Sequence, residues 1–193
     1  MELYGQCTWR LLGRQLPATA VGMLVFAGIL SAVPGGRGNS WCLDGILLFF
    51  LLFISIVDIR CGMIFNRVLL PLAAAGILNV VLVQPENWAS SFGGAMAGGS
   101  FLWLLRWLSH GGLGGGDVKL AFVLGIWLGG PGIAAALWLA FLLGGCCAAA
   151  LLSNRCWQKS DSIPFGPFLC FGAFILYFYG GMLWDWYGGC FYG

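Results

Sequence analysis

The stretch Gly111-Gly112-Leu113-Gly114-Gly115-Gly116-Asp117-Val118-Lys119-Leu120 sets five glycines ahead of one aspartate at the head of an apolar segment. A carboxylate at the edge of hydrocarbon is costly, roughly 2.5–3.5 kcal/mol at a helix centre and less near the interface, so something must justify it. A run of glycines argues against regular helix and lets another backbone come close. A plainer reading is a flexible interhelical loop with Asp117 as N-cap of the next helix. A second aspartate at matching depth, Asp58, weighs toward a catalytic pair.

Around this stretch the chain is extremely apolar. Of its 193 residues 60% are hydrophobic and only 8% charged, and the mean hydropathy is +0.91. No soluble domain of this size carries such a surface. The apolar runs are long rather than alternating, which favours an all-α polytopic membrane protein over a barrel. A formal charge of +2, with scattered basic residues, gives no sign of a nucleic-acid partner. The eight cysteines form no Cys-x-x-Cys pair, and there is one histidine, His110, so no metal site is expected. The cysteines read as small apolar residues packed in or near helices.

Seven apolar runs are expected to be transmembrane helices. The first, Ala18 to Val33, follows a tail with Arg10 and Arg14; it resembles a signal peptide, but retention as a first helix is the preferred reading. The others are Leu43 to Val57, Val68 to Val83, about Trp88 to Leu108, Val118 to Gly130, Ile133 to Leu152, and Ile163 to about Trp186. Residues 1–42 thus form a tail plus first helix, and 43–193 a six-helix core. The fifth run is short for a span of about 20 residues. Gly94 with Gly98, and Gly125 with Gly129, repeat the small-xxx-small spacing of closely packed helices. With the N-terminus inside, Arg10, Arg14, Arg60, Arg67, Arg106, Lys119, Arg155 and Lys159 are cytoplasmic and only Arg37 lies outside, which fixes the orientation.

Of the seven acidic residues, Glu2, Asp44, Glu86, Asp161 and Asp185 fall in tails, loops or outer helix ends, where water is expected to solvate them. Asp58 and Asp117 both reach the inner side. Two carboxyls held close do not both ionise easily, so one keeps a proton while the other serves as base, as an aspartic protease requires. A purely structural alternative pairs Asp58 with Arg60 or Arg67 and Asp117 with Lys119. A small transporter is another, since buried carboxyls also mark proton relays, though both aspartates lie near one surface. A non-catalytic assembly subunit is the third.

Gly114-Gly115-Gly116-Asp117 matches the GxGD motif of membrane aspartic peptidases, and with Val118-Lys119-Leu120 it resembles the type IV prepilin peptidases. Asp58-Ile59-Arg60 followed by Ile64-Phe65-Asn66 is similar to that family's first aspartate block, and Ile163-Pro164-Phe165-Gly166-Pro167 to its third. Phe65 departs from the pattern, standing where the family usually has proline. The resemblance covers about Leu43 to Trp186. It implies a GxGD-type peptidase core with Asp58 and Asp117 catalytic. Gly114, Gly116, Lys119, Asn66, Pro164 and Gly166 would then bind substrate or shape loops. It further implies no cofactor, a location in the inner membrane among lipid, and a substrate that is a prepilin or pseudopilin, cut at the cytoplasmic face after a short basic leader, commonly at glycine. Long members of the family carry a Cys-x-x-Cys region and also methylate the product; only Pro34 to Cys42 separates the first two runs here, so cleavage without methylation is expected.

Overall fold

The computed structural model describes residues 41–153 and 164–192. The expected first helix, the Pro34–Gly36 turn after it, and the polar segment 154–162 lie outside the described residues, as do Arg10, Arg14, Arg37, Arg155 and Lys159. Among the described residues all regular structure is helical: α1 (Trp41–Cys61), α2 (Asn66–Val83), a 3₁₀ turn (Pro85–Asn87), α3 (Trp88–Leu108), α4 (Gly115–Ser153) and α5 (Gly166–Tyr192). Three of them contain stretches long and apolar enough to cross a membrane, Cys42–Cys61, Asn66–Val83 and Gly115–Ala150. The apolar part of α5, Gly166–Met182, is shorter. In α3, glycine, serine and tryptophan dilute the hydropathy.

On α1 the buried positions Asp44, Leu47, Leu48, Leu51, Ile54 and Asp58 recur every three or four residues, one helical stripe with a carboxyl near each end. Gly62 stops the helix: its φ of 61° is left-handed, and its N–H closes on the Asp58 carbonyl at 2.8 Å. The expected connection from Arg60 to Arg67 is therefore only the stretch 62–65, because both helices run further than their apolar runs. α2 starts after Phe65, whose φ of −81° and ψ of 129° are extended. This φ is close to what proline imposes. The departure at Phe65 leaves the turn intact.

α4 packs against α2, α3 and α5, while α1 packs against α2 and α5. At 1.5 Å per residue its 36-residue apolar stretch would extend about 54 Å, far beyond a ~30 Å hydrocarbon core. It is broken at Gly129 (φ 71°, ψ 179°), a backbone state that suits glycine, and Pro131 follows where a new helix starts. The break separates arms 115–128 and 130–153, close to the two runs expected there. Ser90 Oγ of α3 accepts the Gly130 N–H at 3.3 Å, answering one donor freed by the break.

The glycine spacings mark the α3–α4 crossing, as expected. A Cβ on Gly94 would lie 2.5 Å from the Gly129 carbonyl carbon, one on Gly125 2.5 Å from the Ala95 nitrogen, and one on Gly98 2.7 Å from Ile133 Cγ1. Backbone lies on backbone here. Leu72, Leu102, Leu120, Leu124, Ile133 and Leu169 fill the fully buried core around α4.

Candidate active site

Four helix ends meet at one end of the bundle: the last turn of α1 and the first turns of α2, α4 and α5. Asp58 is 4% exposed and Asp117 7%, so both expected carboxyls are buried. They lie within Coulombic reach of each other. Gly166, at the head of α5, donates its backbone N–H to Asp58 Oδ2 at 3.0 Å. Asp117 turns back to accept the N–H of Gly114, the arrangement of a carboxylate three residues inside a helix that caps its own first turn.

The glycine block differs from expectation in one respect. Gly115 and Gly116 are already helical, and within the block only Gly111 has positive φ. What the later glycines supply is proximity. A Cβ on Gly116 would lie 2.8 Å from the Cβ of Ile64, in the α1–α2 connection, and one on Gly114 2.8 Å from Asp117 Oδ2. One on Gly115 would run into the Arg106 guanidinium, and one on Gly166 into the Asp58 carboxylate. Side chains here would push α4 from the α1–α2 connection and from Arg106, and α5 from Asp58.

Lys119 does not serve as partner to Asp117: its Nζ donates to Asn66 Oδ1 at 3.0 Å, at the exposed rim. This bond ties the first turn of α4 to that of α2. Pro164 is half-buried in the approach to α5, just before Phe165, whose carbonyl accepts the N–H groups of Phe168 and Leu169 at 3.1 and 3.2 Å. Of the positions singled out from sequence, Asp58, Asn66, Gly114, Gly116, Asp117, Lys119 and Gly166 are thus brought to one end, with Pro164 at its edge.

One further residue lies beside the pair and a second lies beside that one. Cys170, 2% exposed, bonds to the Ser55 side chain and lies in electrostatic range of both aspartates; Ser55 Oγ in turn donates to the Leu51 carbonyl at 2.8 Å. Helical spacing was the available signal, since Ser55 precedes Asp58 by three residues and Cys170 follows Gly166 by four. Asp44 corrects an expectation: it is not a solvated cap but 4% exposed, accepting the Tyr177 hydroxyl at 2.6 Å. Its place on the buried stripe of α1 explains this. Among the described residues no three His, Cys, Asp or Glu side chains cluster as metal ligands would.

Residues 45–151 match the sequence model of the type IV leader peptidase family. A protein of Bacillus subtilis (strain 168) named prepilin leader peptidase/N-methyltransferase is 36% identical over 140 residues, 70% of this chain and 54% of the relative. Proteins of the same name from Aeromonas hydrophila and Xanthomonas campestris pv. campestris are each 31% identical, over 147 and 149 residues, 74% of this chain and 51% of the relative. The chain spans about half the length of the curated relatives it matches. No solved structure matches it. The matched segment takes in Asp58, Asn66 and the glycine block through Lys119 and is more than half of the chain; with its long apolar helices, this multi-pass membrane protein belongs to the type IV leader peptidase family.

Proposed function

We propose that the protein is an aspartic endopeptidase of the inner membrane that removes the leader from a prepilin or pseudopilin at the cytoplasmic face, with Asp58 and Asp117 as the catalytic pair. The observation that carries this reading is the convergence of three separate sequence blocks on two buried carboxyls, each held by a glycine N–H. In the reaction the ionised carboxyl takes a proton from a water molecule, whose oxygen attacks the scissile carbonyl, while the protonated carboxyl hydrogen-bonds the carbonyl oxygen. The tetrahedral adduct collapses as the carboxyl that took the water's proton passes it to the nitrogen, which leaves as an amine. The substrate class is taken from the relatives' names. The extended peptide would enter beside the glycine block, in the manner of strand addition, under the Lys119–Asn66 bridge.

The topology belongs to the same proposal: residues 1–42 contribute a first helix, and 43–193 a six-helix core in which the arms of α4 count as two spans. The positive charge of Arg60, Arg67, Arg106 and Lys119 near the aspartate end supports its placement inside. Single cysteines at positions 64 and 112 in a cysteine-free background are expected to resist an impermeant thiol reagent added to intact cells and to react after lysis; labelling from outside refutes the orientation. The chemistry is tested with purified protein and a prepilin: Asp58→Asn and Asp117→Asn each abolish leader release while the protein still inserts and elutes as wild type. Substantial cleavage by either variant rejects the pair.

A further inference from the structure

Beside the glycine block, a cavity of about 570 Å³ is lined by Trp103, Arg106, Trp107, Leu108, His110 and Gly111. It lies where α3 turns into α4. Because an apolar stretch long enough to span begins at Gly115, the turn just before it lies at a bilayer boundary. Trp103 and Trp107 are one helical turn apart on one face, 61% and 69% exposed, and indoles favour the headgroup level. Between them in sequence, Arg106 can lay its stem along apolar surface and present a fork of donors that matches phosphate.

The turn is built to bring His110 to the same cavity. Its φ of 51° is left-handed, and the turn is closed by Gly111 N–H to the Arg106 carbonyl at 3.0 Å and His110 N–H to the Trp107 carbonyl at 3.2 Å. Among the described residues no acidic side chain lines the cavity. A cation, a hydrogen-bonding imidazole and two exposed indoles at the water–lipid boundary match one occupant chemically.

We propose that this cavity holds the headgroup of an anionic phospholipid, with the phosphodiester on Arg106 and His110 and the glycerol and upper acyl chain against Trp103 and Trp107. A free phosphate ion would have no use for the indole walls. Since the Arg106 guanidinium also lies over Gly115, the headgroup would sit one side chain away from the turn that carries Asp117. The site goes beyond the peptidase reading and does not depend on it, because its test reads lipid retention.

The full chain, reconstituted in bilayers of equal phosphatidylglycerol and phosphatidylcholine, is released into native mass spectrometry and its retained lipid counted. Wild type is expected to keep one phosphatidylglycerol in preference to phosphatidylcholine, and Arg106→Gln to lower that retention about fivefold. Arg67→Gln removes an equal charge at the same end of the bundle outside the cavity and is expected to leave retention unchanged. Excess inorganic phosphate is expected not to displace the lipid. Equal retention of both lipids by wild type, an Arg67→Gln loss as large as that of Arg106→Gln, or displacement by inorganic phosphate each overturns the proposal. Should Arg106→Gln fail to insert, Trp103→Ala carries the test, and undiminished retention by that variant overturns it equally.

Discussion

The two ends of the bundle both bury aspartate, and they treat it differently. At one end Asp44 is answered by a side chain, the Tyr177 hydroxyl at 2.6 Å, and Tyr177 is itself stacked edge-on against Trp127 with ring centroids 5.9 Å apart. Trp127 in turn donates to the Leu72 carbonyl at 3.1 Å and fills the space above Gly76. This is a packed polar tie between α1, α2, α4 and α5. At the other end Asp58 and Asp117 are answered by the backbone N–H groups of Gly166 and Gly114, and they lie within reach of each other's charge. A carboxyl fixed by a neighbour's side chain holds helices together. Two carboxyls fixed by glycine backbone at helix starts leave their own oxygens unengaged by a partner side chain's hydroxyl, in keeping with the proposed chemistry.

From that contrast, the same substitution is expected to have opposite consequences at the two ends. Asp58→Asn or Asp117→Asn is expected to lower cleavage by about 10²–10⁴-fold or more, the range for loss of a proton-transfer group, with the melting temperature in detergent little changed. Comparable cleavage by Asp44→Asn and Asp117→Asn, both folded, breaks the comparison outright.

Gly166→Ala probes the backbone's part. Its methyl would meet the Asp58 carboxylate, and a shift of about 1 Å there costs roughly 10²-fold in kcat, with about 1–3 kcal/mol of strain. An alanine variant with wild-type kcat shows that the N–H contact does not set the position of Asp58.

Tyr177→Phe removes only the hydroxyl from the Asp44 tie and is expected to cost about 1–3 kcal/mol, since it leaves a buried carboxyl without that donor. Denaturation in detergent measures this, and cleavage per folded molecule is expected to stay within about twofold, given that most of the loss is structural. A large fall in kcat at full stability makes the Asp44–Tyr177 tie part of the chemistry. The smallest expected effect is that of a chelator: cleavage is unchanged by EDTA, and restoration by zinc of an activity lost to chelation brings a metal into the mechanism.

Much of this was legible along the chain because the bilayer imposes strict local rules. Long apolar runs must become helices to satisfy their own backbone, so α3 fell close to its expected run, and the break in α4 at Gly129 lies between the two runs expected there, Val118 to Gly130 and Ile133 to Leu152. The glycine spacings at 94, 98, 125 and 129 announced a close crossing. Asp58 and Asp117 stood out because a charge beside hydrocarbon is expensive wherever it lies. The sequence by itself therefore determined that this is a helical membrane protein and which two carboxyls the proposed chemistry rests on, since both follow from local cost.

Only the tertiary structure decided the partners. Asp44 and Tyr177 are 133 positions apart and Asp58 and Gly166 are 108 apart, and no periodicity within one helix states which face of another it will meet. Asp44 was misread as solvated for that reason: a helix end resembles a water-facing cap until a neighbouring helix is seen to cover it. The glycines before Asp117 were expected to break the helix, yet two of them belong to it, because room for Ile64 and Arg106 is a property of packing rather than of φ and ψ. Helical spacing put Ser55 and Cys170 on the faces of Asp58 and Gly166, but that they bond to each other follows only from the packing of α1 on α5. Local hydrophobicity is summed along a chain, whereas the pairing of buried polar groups is settled in three dimensions, where each must find a donor or acceptor on another helix.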